Sequence, residues 1–126
     1  MNYPLYFESK NSHNLFEMED YFSLISNLYL KKNLPKVLLF TGKKGEGKAT
    51  LIKHFLYSIF DTKNYDKEQF AISESSVFFK QFDNNIYPNI IYIKGADFAS
   101  IKIEDIRNLK KKILKSTISN ADRFII

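Results

Sequence analysis

Lys36 to Leu51 reads KVLLFTGKKGEGKATL, and this stretch decides the fold. Val37, Leu38, Leu39 and Phe40 form an apolar run that does not alternate with polar residues, the pattern of a strand covered on both faces in a parallel sheet. Gly42, Gly45 and Gly47 follow at once and are three of only 4 glycines in the chain. From Lys48 to about Phe60, Leu51, Ile52, Phe55, Leu56 and Ile59 return at helical spacing. The order is therefore buried strand, glycine-rich loop, amphipathic helix.

Within that loop, Gly42, Lys43, Lys44, Gly45, Glu46, Gly47, Lys48 and Ala49 fit the phosphate-binding pattern GxxxxGK[S/T] at every fixed position except the last. Glycines let backbone N–H groups converge on one anion, the following helix offers its positive end, and a lysine, here Lys48, reaches the outer phosphates. Ala49 is the informative departure, because a methyl group cannot complete the Mg²⁺ shell that a hydroxyl supplies there. Thr50 does not replace it, since one residue along a helix turns a side chain by about 100°. Glu46 is expected to point outward into solvent, and Lys43 and Lys44 to add positive charge near a phosphate. ATP or ADP would be held weakly or not at all, and no catalytic residue is assigned.

Outward from the loop, Leu15, Met18, Phe22, Ile25 and Leu28 mark one face of a helix from about Leu15 to Leu30, with Asn14 as its cap and Glu17 as a capping-box carboxylate. Asp61 to Pro88 carries weak signals, with a short helix around Ser75 to Gln81. Asn89 to Lys94 reads as a second strand broken by Gly95. Ile103, Ile106, Leu109, Ile113 and Leu114 define a further helix face, and Arg123 to Ile126 opens a third apolar strand. Strand, helix, strand, helix, strand is the grammar of an α/β domain with a parallel sheet. The chain stops inside its last element, so it reads as an incomplete domain.

The chain has 126 residues, 44% of them hydrophobic and 16% aromatic, which is enough to build a core. A formal charge of +5 leans toward a polyanionic partner without naming one. With no cysteine, disulfides, thiolate nucleophiles and zinc clusters are excluded. His13 stands in a polar segment and His54 lies beside Phe55, and neither has a second ligand at metal spacing. Met1 to Lys10 lacks the pattern of a leader and no apolar run is long enough to span a bilayer, so the expectation is a cytoplasmic protein with no membrane partner.

The segment Leu34 to Gly42, followed by GEGKATL from Gly45 to Leu51, resembles the N-terminal AAA+ P-loop module of the delta-prime subunit of the bacterial DNA polymerase III clamp loader. Tyr87 to Ile93 resembles that family's His-Pro-Asp strand, with Tyr87 in place of the histidine. Ile101 to Leu109 (IKIEDIRNL) resembles its Ile-x-Val-Asp-x-Ile-Arg-x-Leu helix start, and Arg123 to Ile126 the opening of the Walker B strand. The resemblance implies an α/β, incomplete parallel-sheet domain truncated at Walker B. It implies membership of the replicative polymerase assembly, with gamma/tau and delta subunits, the sliding clamp and, indirectly, primed DNA as partners. The four-cysteine zinc module of related subunits is absent, and Ala49 separates the chain from the ATP-hydrolysing gamma and tau subunits. Two other readings compete: a small P-loop ATPase or kinase, and a DNA-binding module resting on Lys102, Arg107 and Lys110 to Lys112.

Overall fold

The computed structural model describes residues 12–93, 101–115 and 121–126. Two compact units divide the chain, one ending at Phe78 and the other starting at Phe79. Both helix and sheet are present, so the α/β class holds in its coarse form.

The first unit is built on two helices and a hairpin. Helix α1 (Glu19–Leu30) buries Phe22 and Ile25, and α2 (Lys48–Phe60) buries the contiguous run from Lys53 to Tyr57 together with Leu51. A chain that buries so much of α2 has wrapped the helix on more than one side. The hairpin β1 (Tyr65–Asp66) and β2 (Ala71–Ile72) pairs antiparallel, Tyr65 against Ile72 and Asp66 against Ala71. Its turn is an Asx type: the Asp66 carboxylate accepts the N–H groups of Glu68 and Gln69, each at 2.9 Å. Aromatic packing fills the interior, with Phe22 stacked on Tyr65 at 5.6 Å and Tyr57 edge-on to Phe78 at 4.7 Å.

Three expectations fail in this unit. Helix α1 begins at Glu19, not near Leu15, and Met18 caps it without a side-chain bond. Asn14 and Glu17 therefore form no capping box: Asn14 bridges to Ala71, and Glu17 takes a left-handed φ of 56°. The cause lies in backbone pairing. Leu15 donates to the Phe70 carbonyl at 3.0 Å and Ile72 donates to the His13 carbonyl at 2.8 Å, so residues 13–15 serve as an edge to the hairpin. Leu15 is still a core residue, at 3% exposure, but it reaches the core from an extended segment.

The third failure is the apolar run itself. Val37 and Leu39 are 85% and 86% exposed, and residues 36–41 join neither sheet. No ladder partner meets this run among the described residues, so its apolar character produces no buried strand.

In the second unit, β3 (Ile90–Ile91) and β4 (Phe124–Ile125) pair in parallel, with Ile90 opposite Phe124 and Ile91 opposite Ile125. Ile93 extends the ladder by donating to the Ile126 carbonyl at 2.7 Å. Asn89, 2% exposed, holds the start of the pair: its amide donates to the carbonyls of Ala121 at 3.0 Å and Asp122 at 3.2 Å. Helix α4 (Ile103–Ile113) falls between the two strands in sequence, as the βαβ reading expected. Its expected apolar face is largely open: Ile103, Ile106, Ile113 and Leu114 are exposed, and Leu109 is half-buried. Arg123 clasps its far end by donating to the carbonyls of Ile113 and Lys115. Helix α3 (Val77–Asp83) lies two residues downstream of the expected short helix and carries the unit boundary. The expected break at Gly95 and the segment Met1–Lys10 lie outside the described residues.

Candidate functional site

All nine candidate residues, Gly42 to Thr50, fall on one loop and the first turn of α2. Gly47 ends the loop as the N-cap of α2 with φ 78°, a left-handed conformation that a Cβ penalises. Space gives a second reason for glycine there, since a Cβ would come to 3.0 Å from the Met18 sulfur. The loop is thereby seated against the start of α1.

Lys48 is the first residue of α2, and its ammonium turns back over the loop. Nζ donates to the Gly42 carbonyl at 2.8 Å and to the Lys43 carbonyl at 2.6 Å. Glu46 departs from expectation. Its carboxylate does not point outward; Oε2 accepts the backbone N–H of Lys43 at 2.7 Å, three residues back. A short carboxylate contact to a backbone N–H is a charge-assisted bond, stronger than a neutral one. A Cβ at Gly42 would collide with this carboxylate, so the first glycine of the motif leaves the room that Glu46 fills. Lys43 and Lys44 are exposed, Ala49 is exposed, and Thr50 is half-buried on the helix.

The donors on this loop, N–H groups and ammonium, suit an anion. Ala49, at the start of the helix, contributes no side-chain oxygen. Among the described residues no group of three or more His, Asp or Glu side chains could hold a metal ion. Nor is any helix among them long and apolar enough to cross a membrane. The cationic residues singled out on the second unit, Arg107 and Lys110 to Lys112, are all exposed on α4. Lys102 precedes that helix, and its N–H donates to the Asp105 carboxylate at 2.9 Å.

His54 has a role that sequence reasoning missed. It is fully buried in α2, with Nε2 3.1 Å from the Ser12 carbonyl and Nδ1 3.0 Å from the Tyr65 hydroxyl. A carbonyl can only accept, so the geometry assigns the proton to Nε2 and makes Nδ1 the acceptor of the Tyr65 O–H. Burial chiefly drives the His54 pKa down from 6.5 to about 4; Lys53 and His13 push the same way, and the Ser12 carbonyl opposes them. Burial, then the Asp66 charge, holds the Tyr65 phenol above its ordinary value. His54 thus ties the helix that carries the loop to both β1 and the incoming chain. The legible signal was its spacing, three after Leu51, which places it on the buried face. His13, in its polar segment, meets the Glu74 carboxylate at 2.9 Å.

With this geometry in view, the relationship to known proteins is specific. Residues 18–126 match the family described as DNA polymerase III, delta subunit. The match covers α1, the loop, α2 and both strands of the parallel pair, and the chain belongs to this family of clamp-loader-type subunits. No curated protein and no solved structure matches significantly.

Proposed function

We propose that this chain is the N-terminal part of a delta-prime-like clamp-loader subunit, an AAA+ module that works as a non-hydrolysing partner of motor subunits in loading the sliding clamp onto primed DNA. The match of residues 18–126 to the polymerase III subunit family carries this reading. Ala49 supports its finer part, because a loop that lacks the metal-binding hydroxyl is poorly suited to turnover. The expected partners are the gamma/tau and delta subunits and the clamp, with DNA approached through the assembly. Nucleotide, if taken up by the loop, would meet Lys48 and the loop N–H groups without a complete metal shell. The cytoplasm is where such an assembly works.

Co-expression with gamma/tau and delta from the same genome, followed by size-exclusion chromatography, tests the proposal. A co-eluting complex with no ATPase activity attributable to Lys48 of this chain supports it. Failure to associate, together with Lys48-dependent ATP turnover by the chain alone, would overturn it in favour of a free-standing P-loop ATPase or kinase.

A further inference from the structure

The internal contacts of the glycine-rich loop leave one carboxylate unexplained by any packing role. Glu46 is exposed, yet its side chain folds back three residues to take the Lys43 N–H at 2.7 Å instead of extending into water. The surroundings account for this. Lys43, Lys44 and Lys48 crowd the loop with positive charge, and the N-terminal end of α2 adds its partial charge. An anion is stabilised there, and the chain supplies its own. Lys48 is engaged as well, its ammonium bonded to the carbonyls of Gly42 and Lys43.

We propose that the Glu46 carboxylate is an internal anion that closes the loop against phosphate, an autoinhibitory clasp that a nucleotide would have to displace. The inference rests on reading Gly42 to Thr50 as a phosphate-binding loop. Glu46 is tethered three residues from the Lys43 N–H that it accepts, so it competes at an effective concentration on the order of millimolar, against which a nucleotide must bind. The observed affinity of the loop is its intrinsic affinity scaled by the fraction of time the clasp is open. A clasp closed roughly nine-tenths of the time weakens binding about tenfold. Gly42 belongs to the same device, because a Cβ there would meet the Glu46 carboxylate and force it to shift. The loop therefore carries the glycines and lysine of a phosphate site in a resting state that denies phosphate access.

The test titrates ADP and ATP into the full chain, its Glu46→Ala, Glu46→Gln and Lys48→Ala variants, and the Glu46→Ala/Lys48→Ala double variant by calorimetry. The amide resonance of Lys43 is followed in parallel. Removal of the carboxylate is expected to shift the Lys43 amide and to tighten nucleotide binding at least tenfold, and Lys48→Ala should abolish the gain. Equal affinity of Glu46→Ala and the unmodified chain, both Lys48-dependent, would overturn the clasp and leave the phosphate-loop reading standing. Absence of binding in every variant would overturn both. Glu46 is exposed, so its substitution leaves the core intact, and an unchanged melting temperature verifies that.

Discussion

The buried imidazole of His54 makes the stability of the first unit depend on pH in a direction and window that the structure fixes. In the unfolded chain His54 gains a proton near pH 6.5, whereas in the folded chain it does so only near pH 4. Between those values the unfolded state binds more protons, so acid favours unfolding; above pH 6.5 the contribution is fully present, and it is lost as pH falls toward 4. At 1.36 kcal/mol per pH unit the full loss is about 3 kcal/mol, a sizeable share of the roughly 5–15 kcal/mol of a typical domain. From about pH 7.5 to about pH 5, where most carboxylates stay ionised, the loss is about 2 kcal/mol. His54→Gln keeps a donor for the Ser12 carbonyl and an acceptor for the Tyr65 hydroxyl while removing the titration. Urea unfolding followed through the amide signals of Leu51 to Tyr57 reads the first unit alone. The original chain should lose about 2 kcal/mol more than the variant across that range. Identical pH slopes for the two proteins would refute the assignment of a neutral, buried His54.

Gly47→Ala places a Cβ at φ 78° and 3.0 Å from the Met18 sulfur, and should cost about 1–3 kcal/mol in urea unfolding without altering the second unit. Asn89→Ala leaves the Ala121 and Asp122 carbonyls without its amide and should cost about 1–3 kcal/mol, read as faster hydrogen exchange at the Phe124 and Ile126 amides. Arg123→Ala removes the donors at the end of α4, so exchange should accelerate in its last turn while the first turn, held by Asp105, is unchanged. The chain alone should show no steady ATP turnover above that of Lys48→Ala, measured by phosphate release.

Periodicity located what local chemistry controls. Helix α2 spans Lys48–Phe60 as its apolar spacing required, and α4 and the parallel strands lie where their apolar runs placed them. What escaped was set by distant partners or by very short elements. The hairpin strands are two residues long, below the reach of any period, and their turn rests on one aspartate. The start of α1 was misplaced because Asn14 and Glu17 carry cap chemistry that the hairpin edge overrode. In the loop, the motif identified which residues converge but not that Glu46 would turn inward, since that choice depends on where three lysines and a helix end gather.

The run from Val37 to Phe40 shows most sharply what an apolar pattern encodes. Val37, Leu38 and Leu39 are all exposed, Leu38 the least of the three, and only Phe40 is half-buried. Leaving two such side chains in water forgoes roughly 1.5–3 kcal/mol each. The loop that follows is consequently oriented without a sheet, by the Met18 contact at Gly47, the bonds from Lys48 and the turn of Glu46. The Lys48 and Glu46 contacts converge on Gly42 and Lys43, three residues beyond the end of the run at most.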